Sequence, residues 1–455
     1  MKAWLPQHLP YAKASRLTAP TLALSPPAVL ALGFAALIIL GALLLLLPIA
    51  TTAPLSLLQA LFTATSAVTV TGLVLVDTGT HFTVFGQVVI AMLIQAGGLG
   101  FMTFAVVAVV SLGAKIGLAQ QKIAQEAMNQ TSLAQVAQTA KAVLLYSLVI
   151  ELIGVVLLTL VWFSELGFAS ALYHALFYTI SAFNNAGFAL NSASLMPYAG
   201  SVSVNLIITS LFIVGGIGFT VLIDLKKQRR WQLLSVNTRI ILLATLVINI
   251  MAFLLIWLLE ANNPATLANL SVKDQALAAW FQAVTPRTAG FNTLDYSQMT
   301  DASNVLTLLL MFIGGGSLST ASGIKLGTFV VLIMATYAFL RRRDDVTLLK
   351  RNIPNTQVLK ALALTFVSMS LVFIAIFVLT ALEDAAFMDI AFEAVSALST
   401  VGLSRGLTAN LSVAGQWIVI FLMIAGRLGP LTLAYFLATP KKRKTRYADT
   451  KIQVG

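Results

Sequence analysis

Long apolar runs alternate with short basic stretches along this chain, at 28–47, 84–112, 142–163, 202–223, 240–259, 305–340, 361–382 and 417–437. Each is long enough to predict a helix that crosses the roughly 30 Å hydrocarbon core of a bilayer. The runs come in four pairs. Between the members of each pair lies a further apolar segment of about a dozen residues, such as 55–66 or 171–181, too short to span. Such a length predicts a helix that enters the membrane and turns back, or one buried in the core. The first run has no small-residue cleavage site after it, so a retained helix is expected rather than a signal peptide.

Every short segment runs into the same motif. Residues 62–73 read FTATSAVTVTGL, 177–188 FYTISAFNNAGF, 280–291 WFQAVTPRTAGF and 392–403 FEAVSALSTVGL. An aromatic residue leads, small and hydroxyl residues follow, and a glycine is followed by Leu or Phe. The glycines, Gly72, Gly187, Gly290 and Gly402, stand about 115, 103 and 112 residues apart, so the period is a whole multi-helix unit. Non-helical backbone at membrane depth must line a cavity, because lipid cannot satisfy its polar groups. Four copies in register therefore predict four loops around one central pore. The expected fold class is an all-α polytopic membrane protein: four helix, re-entrant pore loop, helix repeats, giving eight transmembrane segments in pseudo-fourfold arrangement.

Composition agrees with a membrane solvent: 58% of residues are apolar and only 10% charged, with mean hydropathy +0.92. The net charge of +12 resides in clusters between the paired runs, the distribution of the positive-inside rule rather than of a nucleic-acid-binding face. Lys2, Lys13 and Arg16 form the first cluster and Lys115, Lys122 and Lys141 the second. Lys226, Lys227, Arg229, Arg230 and Arg239 follow, then Arg341, Arg342, Arg343, Lys350, Arg351 and Lys360, then Lys441 to Lys444 with Arg446. All are expected in the cytoplasm, with both termini. The opposite loops carry Asp77, Glu165, Glu260, Asp274, Asp295, Asp301, Glu383, Asp384 and Asp389, an acidic face that attracts cations. The implied division is tails 1–27 and 439–455, repeats 28–112, 142–224, 240–340 and 358–438, and linkers 113–141, 225–239 and 341–357.

A second Gly-rich patch sits in the later run of each pair: 97–103 (GGLGFMT), 215–220 (GGIGFT), 314–320 (GGGSLST) and 426–432 (GRLGPLT). For the first two, close helix packing is the expectation. The third lies in a run far longer than one span needs, so 314–325 (GGGSLSTASGIK) predicts a broken helix with an internal loop. Its likeness to a phosphate-binding loop fails on spacing, and no Ser or Thr follows the lysine. Arg427, a charge within an apolar run, is expected either to pair with Glu151 or Glu393 or to stand beside the cation path. Lys325 has the same two options, with snorkelling to the inner interface as a third. Asn184 and Asn185 read as caps or braces, and Arg287 and Arg405 as ordinary outer-loop charges. There is no cysteine, His8, His81 and His174 are scattered and no HExxH is present, which leaves no constellation for an intramembrane enzyme.

The chemistry of the motif is that of a desolvated cation, whose lost hydration shell rings of backbone carbonyls can replace. With its four motifs, the interruption at 314–325 and Arg427, the chain resembles the Trk/Ktr/HKT superfamily of potassium transporters, most closely the Ktr-type membrane subunit. The resemblance implies a bacterial cytoplasmic (inner) membrane protein that takes up K+. It implies a selectivity filter at Val70, Thr71, Gly72, Asn185, Ala186, Gly187, Thr288, Ala289, Gly290, Thr400, Val401 and Gly402. It further implies a gate made of Gly314, Gly315, Gly316, Ser317, Ser319, Thr320, Ser322, Gly323 and Lys325, with Arg427 facing the pore. Glycine in all four copies is similar to the potassium-selective pattern, although Pro286 and Arg287 set the third copy apart. The same resemblance implies a homodimer on a cytoplasmic, KtrA-like ring of nucleotide-binding regulators switched by ATP and ADP, with Na+ as activator. No cofactor and no nucleic acid is expected. The competing function is a potassium/sodium or potassium/proton symporter.

Overall fold

A computed structural model describes residues 26–100, 133–343 and 345–429, and these are mainly helical. All but the last two residues of the expected N-terminal tail, the cluster at Lys115 and Lys122, most of linker 113–141, the ends of the runs 84–112 and 417–437, and the C-terminal tail with Lys441 to Arg446 lie outside the described residues.

Helices follow the apolar runs because a helix satisfies its own backbone polar groups without water. In chain order, Pro26–Leu45, Leu57–Val68 and Val84–Gly98, of 20, 12 and 15 residues, make a first unit. Leu133–Leu166, Phe168–Phe183 and Val202–Ile217 make a second, continued by Phe219–Lys227. The third has Val236–Glu260, Val272–Val284 and Asp301–Phe312, continued by Leu326–Leu340, and the fourth Asn355–Leu382, Phe387–Ser399 and Val413–Leu428. A hairpin of Val346–Leu348 paired antiparallel with Arg351–Ile353 joins the last two units. Many helices start on a hydroxyl that accepts a backbone N–H of the first turn, as at Ser201, Ser235, Ser271, Thr300 and Ser412. Ser56 and Gln59 form a full capping box for the first short helix.

The outside of the molecule is apolar. Leu152, Phe366, Phe373 and Phe377 are 64%, 73%, 75% and 70% exposed, a surface that water does not tolerate and lipid does. Lys141–Leu166, Val236–Glu260 and Asn355–Leu382 are long and apolar enough to cross a membrane. The chain is thus multi-pass in character. The inner core is built behind the four motifs, where Phe62, Phe281 and Phe392 are fully buried.

Two apolar runs are not single rods. The run 305–340 is interrupted between Phe312 and Leu326. The run 202–223 breaks as well, against the expectation of ordinary packing at 215–220: helix ends at Ile217, and Phe219–Lys227 leaves at 92°. Gly218 makes this turn at φ +102, and a Cβ there would fall on the carbonyl of Ser317. The reason for the break is therefore the interrupted segment of the third unit, which docks into it.

Candidate ion site

Each short helix ends within its motif, and the backbone then turns the same way four times. Val70, Asn185, Thr288 and Thr400 adopt positive φ, and so do Gly72, Gly187, Gly290 and Gly402 two residues later. The residue between them does not. A left-handed conformation at a β-branched residue costs of order 1–3 kcal/mol and persists only where its surroundings impose it.

Those surroundings are hydroxyls on the short helices. Ser66 Oγ accepts the Gly72 N–H at 3.0 Å, and Ser396 Oγ accepts that of Gly402 at 3.1 Å. Ser181 Oγ donates to the Phe188 carbonyl at 2.8 Å, and Thr285 Oγ1 donates to that of Phe291 at 2.6 Å. Main-chain bonds repeat in parallel: the N–H of Thr71, Ala186 and Val401 donates to the carbonyl of Ser66, Ser181 and Ser396. In the third copy the bond runs from Ala289 to Thr285, one residue shorter. Aligned by their glycines, the four copies carry serine in the same column except for Val284, so this brace was visible in the sequence although the expectations did not single it out.

The four motifs touch in chain order and close on themselves. A Cβ at Gly72 would fall on the Ala186 carbonyl, one at Gly187 on Gly290, one at Gly290 on the Val401 carbonyl, and one at Gly402 on the Thr71 carbonyl. All four glycines line one open vestibule of about 300 Å³, with Asp77, Asn191, Asn292, Ser404 and Thr408 around it. Near the ring, the buried Oγ1 atoms of Thr288 and Thr400 and Nδ2 of Asn185 have no protein hydrogen-bond partner. The short helices bring their C-terminal ends, with partial negative charge, toward this place.

Below it lies the interrupted segment 313–325. Gly314 donates to the Ile324 carbonyl at 2.9 Å and Leu326 to that of Gly315 at 2.9 Å, closing the loop on itself. Gly316 donates to Gly216 at 2.8 Å, Thr320 to Gly215 at 3.3 Å, and Phe219 returns a bond to Leu318 at 2.9 Å. Thr320 Oγ1 reaches Asn185 Oδ1 of the second motif at 2.7 Å. Ser319 Oγ bonds the Gly316 carbonyl within the loop, Ser317 is exposed, and Ser322 is buried. Gly323, at φ +67, packs against Gly314.

Arg427 is held by neither carboxylate expected for it. Its Nη1 donates to the Thr320 carbonyl at 2.6 Å and to Ser322 Oγ at 3.3 Å, and its Nη2 donates to the carbonyls of Gly97 and Gly98 at 2.7 and 3.2 Å. Carbonyl dipoles satisfy the guanidinium without a counter-charge, and the arrangement ties loop, first unit and fourth unit together. Glu151 instead meets Gln95 and Asn184, and Glu393 meets Ser404 and Thr408. Lys325 Nζ donates to the Ala321 carbonyl at 2.6 Å.

Two arginines also depart from expectation. Arg287 is buried and donates to Asn249 Oδ1 at 2.9 Å, because its side chain turns into the protein beneath the third motif. Arg405 is a staple between units, pairing with Asp389 at 2.6 Å and donating to the Tyr296 carbonyl at 2.8 Å. Asn184 does act as cap and brace.

Comparison with known proteins covers nearly the whole chain. A family model described as TrkH, cation transport protein, matches residues 29–447. The chain is 51% identical to Ktr system potassium uptake protein B of Bacillus subtilis, over 95% of this chain and 97% of that one. It is 43% identical to the protein of the same name from Vibrio alginolyticus, over 94% and 95%. Identity to the potassium/sodium uptake protein NtpJ of Enterococcus hirae is 36%, over 95% and 98%. The crystal structure of the potassium transporter TrkH from Vibrio parahaemolyticus has the same fold, with a TM-score of 0.73 at 22% identity over 91% of this chain and 84% of that chain.

Proposed function

The chain belongs to the TrkH cation transport family, and from that premise we propose that it takes up potassium ions across the bacterial cytoplasmic membrane through the ring of four motifs. The observation that carries the proposal is the repeated backbone turn: positive φ at two residues of each motif, four times around one vestibule. Alternating left- and right-handed residues rotates successive peptide planes so that carbonyls gather on one side. Four such sets can replace the hydration shell of a cation. In this reading the filter is Val70 to Gly72, Asn185 to Gly187, Thr288 to Gly290 and Thr400 to Gly402. The four units form eight transmembrane segments with pseudo-fourfold symmetry around one pore, both termini in the cytoplasm.

The segment 313–325 is the gate. It supplies a barrier just inside the ring, and Arg427, hydrogen-bonded across it, holds it shut and sets the flux. The names of the relatives, potassium uptake proteins of a Ktr system and a potassium/sodium uptake protein, support K+ as substrate, and Na+ as activator is part of the same proposal. They equally support a multi-component system, here a homodimer controlled by a cytoplasmic nucleotide-binding ring.

The deciding experiment is K+ flux into proteoliposomes containing the chain, at a clamped potential, with and without a sodium gradient. Flux that follows the potential without fixed co-movement of another ion is expected. Stoichiometric Na+ or proton movement would replace the gated pore by a symporter. Flux only when the regulatory ring is added would make that ring obligatory.

A further inference from the structure

The gate has a second brace that its own residues do not reveal. Glu151, on the long helix Leu133–Leu166, is 7% exposed, and it forms no ion pair; among the described residues the one ion pair is Arg405 with Asp389. Its carboxylate is held by amides. Gln95 Nε2 donates to both oxygens, at 2.9 and 3.1 Å, and Asn184 Nδ2 donates to Oε1 at 3.3 Å and to Gln95 Oε1 at 2.7 Å. A buried carboxylate with two oxygens to satisfy fixes both amides at once.

Those two amides stand at the two anchors of the segment 313–325. Gln95 is in the last turn of Val84–Gly98, just before Gly97 and Gly98, whose carbonyls receive Arg427. Arg427 in turn donates to the Thr320 carbonyl. Asn184 lies between Phe183 and Asn185, whose carbonyl and Oδ1 receive the Thr320 hydroxyl at 3.3 and 2.7 Å. Gly98 lets the two anchors meet, since a Cβ there would overlap the Asn184 side chain. Both routes from Glu151 therefore end on Thr320, which is fully buried.

We infer that Glu151 is a positioning residue for the gate, one that holds Gln95 and Asn184 in the orientations that keep Thr320 clamped from both its carbonyl and its hydroxyl side. The inference rests on taking 313–325 as the barrier to flux. A glutamine at 151 has one acceptor oxygen in place of two, and its own N–H groups confront those of Gln95. One amide is then released, and the clamp loosens.

The chain has no cysteine, so a thiol introduced as Ser322→Cys is the only one present. Ser322 is 5% exposed, and the rate at which a water-soluble thiosulfonate modifies the thiol reports release of the segment. In that background Glu151→Gln is expected to raise the modification rate about threefold or more, the size of an ordinary coupling effect. Arg427→Ala should raise it too, and the combined variant should match the faster single variant, because both act on one clamp. An unchanged rate in Glu151→Gln, or rates that multiply in the combination, overturns the inference. K+ flux of the same variants separates the two levels: faster modification without faster flux in Arg427→Ala removes the barrier role of the segment and leaves the brace standing. If Glu151→Gln does not accumulate, Gln95→Met removes the same amide, and the same two criteria decide.

Discussion

Gly72 meets two demands at once, a backbone at φ +97 and a neighbour whose carbonyl occupies the place of a side chain. Gly72→Ser is expected to keep the protein in the membrane while lowering the ratio of K+ to Na+ flux, because the Ala186 carbonyl must move. An unchanged ratio, measured by paired isotope uptake, would take Gly72 out of the filter. Arg287 poses the opposite problem, a buried cation resting on neutral groups. Asn249→Leu removes its best acceptor and should destabilise the protein by about 1–3 kcal/mol, read as a lower melting temperature in detergent. The four glycines were legible in the sequence because the motif recurs in register. The partners of Arg427 and the burial of Arg287 were not: Arg427 rests largely on backbone carbonyls, which serve as acceptors whatever residue carries them, and Arg287 on Asn249, a neutral side chain 38 residues earlier that no charge pattern points to.

At the scale of elements, the long helices were legible from their apolar length, and the interruption at 314–325 from excess length together with glycine and serine. The break at Gly218 was hidden, because GGIGF packs as helix unless another segment enters from about a hundred residues away. That segment also explains what the break does. Gly218→Ala strains the turn and pushes against the Ser317 carbonyl, so it is expected to raise K+ flux severalfold with the K+ to Na+ ratio intact. Deleting 314–316 should do the same more strongly. Loss of flux in both variants, with normal yield, would mean that the segment supports the pore rather than closing it.

For the whole molecule, the pattern of basic clusters and acidic loops fixes an electrostatic direction before any contact is considered. Among the described residues, Asp77 is the one carboxylate lining the vestibule of the ring, and no basic side chain lines it. Asp77→Asn keeps the side-chain oxygen that caps Thr78–His81 and removes the charge. It should raise the K+ concentration giving half-maximal flux at low ionic strength, and the difference should vanish at high salt, where the Debye length shrinks to about 3 Å. A salt-independent effect would indicate altered structure instead. Finally, the ring is closed by four stretches that one gene spells separately. In a tetramer of identical subunits, every substitution strikes all corners together and is accepted or rejected as a whole. Here each corner can differ alone, as the third does, with its shortened brace and inward arginine. Such a ring can be retuned by quarters, one corner at a time.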